Sequence, residues 1–424
     1  MNRQMIPGFF LLLGFSAGLA SPVQGQLVRG PEIVVNAGKA GRQGAPDVAV
    51  APDGHSVVVW VNGLFPANVM ARVLAADGTP RTGDLRVSTS EPDFQDHPRV
   101  AMAANGSFVV VWQARASQLE PSRVYGRRFN ASGQPLGQRF RLGTGYHLEQ
   151  FEPDVASAPS GRFVVAWTEN DGKFQPSGDP MTDVLARRFG ADGHPLEADW
   201  VAAGGWYNQY APTVAMNASG AFVIGVEDYA ESDAHDDGST IVYAKTYGPN
   251  GKLLHVLSQY GVGLGMNQSA PAVALAGDGT AILAFVDDQV DEPFDPNDHV
   301  DGLGLLAQRY DTSGATMGSL VHVNTTIKDH QSQPAIALTP GGYLVAWTSA
   351  GGQDGDGQGV FAQQFAMDGT KVGSETALAT FTAGDQSLPA VALAPNGHGF
   401  AVWQSMGRDG DDLGIAARRI VAQP

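Results

Sequence analysis

The stretch from residue 95 to residue 112, Q-D-H-P-R-V-A-M-A-A-N-G-S-F-V-V-V-W, recurs in altered form seven times along the 424-residue chain. Each copy opens with Gln-x-x-Pro-x-(Val/Ile)-Ala and runs through a turn glycine to a large apolar residue six positions later. The anchor glutamines are Gln43, Gln95, Gln150, Gln209, Gln268, Gln331 and Gln386. The large apolar residues are Trp60, Trp112, Trp167, Val226, Phe285, Trp347 and Trp403. A repeat of several tens of residues indicates an architecture whose units stack on one another.

Each unit contains four short segments rich in Val, Phe, Trp, Tyr and Ile, separated by turns such as A-D-G, A-S-G and P-N-G. This composition is typical of β-strands, and glycine suits the tight reversals because it reaches positive φ at little cost. The second segment is almost continuously apolar, which favours a strand buried on both faces. The sequence therefore predicts an all-β fold, a seven-bladed β-propeller with four-stranded blades.

The two ends of the chain complement each other. The seventh copy stops after its third segment, residues 415–421, and an unmatched segment, residues 32–36, precedes the first copy. We expect the N-terminal strand to close the last blade and so remove its free edges. An open array or two smaller sheets is the alternative, and the complementary ends favour the closed ring.

Residues 1–25 read as a secretory signal peptide. Arg3 supplies the positive region, residues 9–13 the apolar core, and residues 23–25 a small-residue cleavage site. Cleavage after Ala20, or retention as an N-terminal anchor, is the alternative. Residues 26–424 then form one propeller domain that is secreted or periplasmic, with no membrane span after cleavage. Without cysteines this exported domain has no disulfides.

The formal net charge of −17 bears on the choice of partner. Nucleic acids and anionic membrane surfaces require basic patches, so we expect neither as a partner. Solubility outside the cell is the simplest interpretation of the charge, and we expect a monomer.

In four sequential antiparallel strands, the loop between strands two and three shares a face with the loop into the next blade. We call this the loop face, and acidic residues crowd into its loops in copies four to seven. Asp-rich loops offer the oxygen ligands that calcium prefers. The candidate calcium ligands are Asp354, Asp356, Asp409 and Asp411. These runs lack the third alternating acid and the final glutamate of an EF-hand, so the alternative is a solvated acidic surface.

Aromatic residues gather in loops that enter blades three and four. They are Tyr146, His147, Phe151, Trp206, Tyr207 and Tyr210. Exposed aromatic rings stack on sugar faces or anchor protein partners, so these residues are candidate ligand contacts. The alternative is that they cap the blade cores.

Candidate catalytic groups follow the anchor prolines of three neighbouring blades: Asp47, Arg99 and Asp154. An arginine between two carboxylates can position an anionic substrate or tune an acid/base pair. The alternative is an ion-pair network between blades. The seven glutamines invite a similar choice between a ligand-binding ring and structural ties to unpaired backbone groups, and their presence in every unit favours the ties.

Two patterns resemble known repeat families. The pattern P-x-V-A-x-x-x-x-G-x-F-V-V-V-W, followed by D-G-D-G-x-G-V-F-A-Q-Q-F, resembles tandem repeats in large secreted bacterial proteins. The run A-V-A-P-D-G at residues 49–54 is similar to the S-P-D-G element of TolB-like propellers. The resemblance implies an exported β-propeller. It implies no activity, because these families serve mainly as binding or scaffold modules.

The sequence thus supports two functional hypotheses. The first is a secreted binding module that engages an unidentified glycan or protein through its acidic and aromatic loop face, without catalysis. The alternative is a secreted glycan-active hydrolase or lyase that uses the carboxylates near the axis. Calcium is the one cofactor that the composition suggests.

Overall fold

The computed structural model describes residues 27–422, with gaps at 65, 89–93, 118–119, 145–148, 175–179, 206–207, 233–234, 259–266, 289–301 and 328. The described residues form 28 β-strands in seven four-stranded antiparallel sheets, and no α-helix is found among them. The predicted all-β, seven-bladed β-propeller is therefore confirmed.

The strands are numbered in chain order, so that β1 (Val28–Val34) precedes the first complete blade. Blade 1 consists of β2 (Gln43–Val50), β3 (Ser56–Asn62), β4 (Asn68–Leu74) and β5 (Leu85–Arg86). Blade 2 consists of β6 (Phe94–Met102), β7 (Phe108–Arg115), β8 (Arg123–Phe129) and β9 (Phe140–Arg141). Blade 3 consists of β10 (Gln150–Ser157), β11 (Phe163–Phe174), β12 (Pro180–Phe189) and β13 (Trp200–Ala203).

The remaining four blades complete the ring. Blade 4 consists of β14 (Gln209–Met216), β15 (Phe222–Ser232), β16 (His235–Tyr247) and β17 (Leu253–Ser258). Blade 5 consists of β18 (Gln268–Leu275), β19 (Ala281–Asp287), β20 (Gly304–Tyr310) and β21 (Val321–His322). Blade 6 consists of β22 (Gln331–Thr339), β23 (Gly342–Ser349), β24 (Gly359–Ala366) and β25 (Lys371–Ala377). Blade 7 consists of β26 (Gln386–Leu393), β27 (His398–Met406), β28 (Leu413–Val421) and β1.

The N-terminal strand closes the last blade, as the sequence predicts. Strand β1 pairs antiparallel with β28, and Ile33 lies opposite Ala417. The strand begins at Val28, before the predicted start at residue 32, because a bulge between Arg29 and Glu32 lets the pairing continue. Beyond its end, Asn36 still accepts a 2.8 Å hydrogen bond from the Ile415 N–H. Both ends of the chain therefore share one sheet, and the ring has no open edge at its junction.

The first strand of each blade is the innermost. Strands β2, β6, β10, β14, β18, β22 and β26 contact one another in sequence, and β26 contacts β2 to complete the circle. The second strands are buried on both faces, and their five tryptophans are at most 1% exposed. Each core cluster joins residues of neighbouring blades, so that burying apolar surface between blades stabilises the whole ring.

The anchor motif encodes a β-bulge in every inner strand. The residue before each anchor proline has a positive φ between 49° and 55°, and the register shifts at this point. The seven residues are Ala45, His97, Glu152, Ala211, Ala270, Gln333 and Leu388. In five of them the backbone N–H donates to a side chain of the preceding blade; for example, Gln113 accepts from Glu152 at 2.8 Å and Glu227 accepts from Ala270 at 3.0 Å. The bulge therefore provides a hydrogen bond between blades.

The anchor glutamines are at most 4% exposed. Gln43 donates to the carbonyl oxygens of Ala40 and Gly41, both at 3.0 Å, and Gln331 accepts from the indole of Trp347 at 2.9 Å. These contacts satisfy backbone and indole groups inside single blades. The structural role of the glutamines, favoured by their regular recurrence, agrees with this geometry.

Candidate active site

A cleft of about 690 Å³ opens on the loop face, above blades 7, 1, 2 and 3. Its walls come from the first residues of the inner strands and from the neighbouring loops. The charged and aromatic side chains and the histidine on these walls are Arg42, Phe94, Asp96, His97, Arg115, Glu149, Phe151 and Glu152. We call this site the loop-face cleft. A concave site of this size accommodates several sugar rings or a comparable small ligand.

The polar residues Asp47, Arg99 and Asp154 directly follow the anchor prolines of blades 1, 2 and 3. They lie on the inner strands β2, β6 and β10. The Arg99 Nε lies 3.9 Å from Asp154 Oδ1. Arg99 also lies close enough to Asp47 to stabilise its charged form. The structure thus brings the three predicted catalytic candidates together on neighbouring inner strands. The cleft wall itself does not include them, but each lies two residues below one of the cleft-lining residues Ala45, His97 and Glu152.

The two aspartates also connect blades. Asp47 Oδ2 accepts a 2.8 Å hydrogen bond from Val100 N–H, and Asp154 Oδ2 accepts a 2.6 Å bond from Val214 N–H. Each carboxylate therefore holds the inner strand of the following blade. These bonds fix the carboxylates, as a structural network would. The side chain of Arg99 is 38% exposed and that of Asp154 is 17% exposed.

The proton affinity of both aspartates is raised. Burial raises the pKa of Asp47 to about 6, while Arg99 and the Val100 N–H oppose the change and the charge of Asp154 adds to it. Burial likewise raises the pKa of Asp154, against the opposing effect of Arg99 and the Val214 N–H. A narrow channel leaves some carboxylate surface accessible to water, yet protein surrounds it on most sides, so desolvation dominates. With a pKa of about 6, Asp47 still holds a proton at mildly acidic pH.

A second group of acids lies beside the first, at blades 3 and 4. Glu152 Oε2 accepts the Ala211 N–H at 3.1 Å. The Tyr210 side chain hydrogen-bonds to Glu227, which is 9% exposed, and burial raises the pKa of both groups. The charge of Glu152 raises the pKa of Glu227 further, so the two carboxylates interact.

The sequence analysis did not select Glu152 or Glu227, because both occupy variable positions of the repeat. A usable signal did exist at Glu152. The residue before the anchor proline is uncharged alanine, glutamine or leucine in five of the seven copies and histidine in one, so the single acid at this position is a departure from the repeat.

The predicted aromatic contacts divide into two groups. Tyr146, His147, Trp206 and Tyr207 lie outside the described residues. Phe151 is half-buried and lines the loop-face cleft, where its ring is available to a ligand. Tyr210 is half-buried and engaged with Glu227, so its hydroxyl already has a partner.

Two of the four aspartates predicted to bind calcium make hydrogen bonds between blades. Asp356 accepts the Gly384 N–H and Asp411 accepts the Gly41 N–H, each at 2.9 Å. Asp409 accepts from the side chain of Asn36 at 2.7 Å, and burial raises the pKa of Asp354. Within the described part of the chain, no group of three or more metal-binding side chains forms a cage. Calcium binding stays a prediction.

The described residues contain no helix long and apolar enough to cross a membrane. No protein-family model matches the chain, and no curated protein matches it either.

Several solved structures share the architecture. An ulvan lyase of polysaccharide lyase family PL25, bound to -[GlcA(1-4)Rha3S]-, is 10% identical with a TM-score of 0.55, covering 93% of this chain and 96% of that one. The α-L-arabinanase of Penicillium chrysogenum with arabinobiose is 15% identical with a TM-score of 0.50, covering 76% and 92%. A protein of unknown function from Dyadobacter fermentans is 11% identical with a TM-score of 0.51, covering 80% and 97%.

These comparisons correct the leading functional hypothesis. The two similar structures with a stated activity are both glycan-active enzymes, which contradicts a binding module without catalysis and favours the alternative. The expectation that the protein is not an enzyme is contradicted by the same finding. The resemblance to TolB-like tandem repeats extends to the seven-bladed architecture and no further. At these identities the similarity shows the fold, and the activity of this chain is a proposal.

Proposed function

We propose that this protein is a secreted enzyme that cleaves a glycan bound in the loop-face cleft. One observation carries the proposal: two carboxylates and an arginine from three neighbouring blades meet below that cleft, and the pKa of Asp47 is raised to about 6. Raised carboxyl pKa values beside a cleft are typical of acid/base sites. Asp47, Arg99 and Asp154 could instead serve to connect the blades. That structural role is compatible with catalysis, because the same hydrogen bonds would hold the carboxylates in place.

The roles follow from the surroundings of each group. Asp47 retains its proton at mildly acidic pH and is the candidate general acid toward a glycosidic oxygen. Burial raises the pKa of Asp154 as well, but the Arg99 Nε lies 3.9 Å from Asp154 Oδ1 and opposes that rise, so Asp154 is the candidate base or nucleophile. Arg99, which is 38% exposed, faces the channel between them and can contact substrate. A pair of carboxylates suits hydrolysis of a glycosidic bond.

Elimination is the second candidate reaction, and the position of Arg99 favours it. Removal of a proton beside a sugar carboxylate requires a cation that stabilises the developing negative charge. Arg99 supplies such a cation next to two potential proton acceptors. The product then carries a new double bond, whereas hydrolysis leaves a saturated product, so the two reactions are distinguished by product absorbance.

Export is part of the proposal. The predicted signal peptide at residues 1–25 supports it, and an extracellular location suits an enzyme that acts on polymers too large to enter a cell.

The test is turnover by the purified protein on a panel of neutral and acidic polysaccharides, measured as new reducing ends and as ultraviolet absorbance of unsaturated sugars. We expect Asp154→Asn and Asp47→Asn to lower turnover by ~10²-fold or more with the fold retained. Asp192→Asn is the matched control, because Asp192 lies in an exposed turn where its Oδ1 accepts the His194 N–H at 3.0 Å and asparagine keeps that bond. Undiminished turnover in both cleft variants would show that the chemistry lies elsewhere.

A further inference from the structure

The arginines of this propeller are mostly used to join blades. Arg127 donates to Val87 O at 2.9 Å, Arg187 to Leu142 O at 3.2 Å, and Arg418 to Leu378 O at 2.7 Å. Arg72 makes the corresponding bond to Val35 O at 2.5 Å. In each case the guanidinium reaches the residue that directly follows the fourth strand of the preceding blade. An arginine in this structure therefore normally has a backbone acceptor.

Two arginines of the loop-face cleft differ from that pattern. The guanidinium groups of Arg42 and Arg115 have no hydrogen-bond acceptor and no carboxylate partner among the residues that the structure describes. Arg42 is exposed. Arg115 is half-buried and lies over the ring of Phe94, with its Cζ 5.0 Å from the ring centroid. This stacking orients the guanidinium and leaves its N–H groups available to a ligand.

Among the described residues, none of the acids of the same cleft forms an ion pair with Arg42 or Arg115. Asp96 is engaged with its neighbour His97, whose N–H it accepts at 2.8 Å. Glu152 accepts the Ala211 N–H on the side of blade 4. Glu149 lines the cleft from the loop that enters blade 3. Both arginines therefore lie on the side of the cleft formed by blades 1 and 2, which we call the basic side and which also carries Asp96, whereas blade 3 contributes Glu149 and Glu152.

The basic side continues into blade 2. Residues 94–143 contain seven arginines and only two acidic residues, in a protein whose net charge is −17. Arg123 donates to the Ser122 carbonyl at 2.8 Å, and Ser122 lines the cleft. Burial lowers the pKa of Arg123, and the nearby charge of Arg141 lowers it further. The charges of Glu169 and Glu120 act in the opposite direction on Arg123, so the cluster is partly balanced, and an anionic ligand would add to that balance.

We infer that the loop-face cleft binds an anionic polysaccharide, and that Arg42 and Arg115 contact its carboxylate or sulfate groups. The planar guanidinium donates two parallel hydrogen bonds to either anion. The strongly negative charge of the whole molecule disfavours a nucleic acid, whose phosphates would meet repulsion over a longer surface. This inference rests on the proposed function, because it specifies the substrate class of the same cleft.

The test uses polysaccharide pairs that differ mainly in charge: dextran with dextran sulfate, and polygalacturonate with its carboxyl-reduced form. Retardation of the full chain in gels containing each polymer measures binding independently of cleavage. We expect the charged member of at least one pair to bind better, and the pair that responds identifies sulfate or carboxylate. Arg42→Gln combined with Arg115→Gln should weaken that binding about tenfold, the usual effect of losing charged hydrogen bonds.

Two controls keep the outcome interpretable. Arg162→Gln removes an exposed arginine from the turn opposite the cleft and should leave binding unchanged. Arg42→Gln alone alters a fully solvated side chain, so it tests the inference even if loss of Arg115 from the Phe94 ring disturbs folding. Equal binding of both members of each pair, or an unchanged affinity in Arg42→Gln and in the double variant, would overturn the inference. Equal binding of single-stranded DNA would also overturn it by indicating a general polyanion surface.

The inference and the proposed function fail separately. Cleavage of a neutral glycan by a protein that does not prefer anionic polymers would support the enzyme and contradict the anionic substrate. Arginine-dependent binding of an anionic polymer, with no product under any condition, would support the ligand class and contradict the enzyme.

Discussion

The inner strands of blades 1 to 4 differ from those of blades 5 to 7 at one repeated position. Directly after the anchor proline, the first four blades carry Asp47, Arg99, Asp154 and Thr213, whereas the last three carry Ala272, Ala335 and Ala390. The bulge, the buried glutamine and the apolar second strand are the same in both halves. The residues that every copy shares therefore build the ring. The position after the proline differs between copies, and in blades 1 to 4 it provides polar side chains that can take part in chemistry.

The largest expected effect tests whether both halves contribute equally to the fold. Trp112 of blade 2 and Trp347 of blade 6 are both fully buried. Replacing either by alanine should destabilise the protein by about 3–5 kcal/mol, because each leaves a large cavity between blades. Urea denaturation would measure both costs. A cost confined to Trp112→Ala would show that the alanine half is not under the same packing constraint, and would break the comparison.

A smaller effect belongs to the polar half alone. The carboxyl pKa of Asp47 rises from 3.8 to about 6 on folding, so the native state binds this proton more tightly than the unfolded state does. Stability contributed by the proton is therefore present below pH 3.8 and is lost as the pH rises toward 6. We expect Asp47→Asn, which keeps an acceptor for Val100, to be more stable than wild type by about 1–3 kcal/mol at pH 7.

Melting curves of wild type and Asp47→Asn between pH 4 and pH 8 would show this directly. The difference between the two proteins should shrink toward low pH, where the wild-type carboxyl is protonated. The same proton should appear in activity, as a decline in turnover when the pH rises above about 6. A constant difference in stability across the whole range would contradict the raised pKa.

The smallest effect concerns the acidic loops of the alanine half. Asp411 bonds to Gly41 across the junction of blades 7 and 1, so Asp411→Ala should cost about 0.5–1.5 kcal/mol. The calcium hypothesis adds that millimolar calcium raises the melting temperature more than magnesium does, and that Asp354→Asn with Asp356→Asn reduces this gain. If calcium, magnesium and sodium chloride of equal ionic strength act alike, the loops serve as ties between blades and as solvated charge.

Much of the site could be predicted from the sequence, because equivalent positions of successive repeats lie at equivalent places in successive blades. Asp47, Arg99 and Asp154 occupy equivalent positions in consecutive copies, so they had to be neighbours around the axis once the ring was closed. Glu152 and Glu227 could not be paired in this way, since they occupy different positions of the repeat and meet only through the packing of blade 3 against blade 4. The sequence also could not show that the guanidinium groups of Arg42 and Arg115 are available to a ligand, because it contains many arginines in similar contexts.

The sequence by itself determined the number of blades, the four strands of each, the buried tryptophans and the closure by the N-terminal strand. These features depend on local periodicity and on complementary chain ends, which every copy repeats. Only the tertiary structure decided the left-handed residue before each proline, the hydrogen bonds between blades and the proton affinity of Asp47. A bulge forms hydrogen bonds with groups on another blade, and the desolvation of a carboxylate depends on all the atoms that surround it. Neither feature is therefore a property of the local segment that carries the residue.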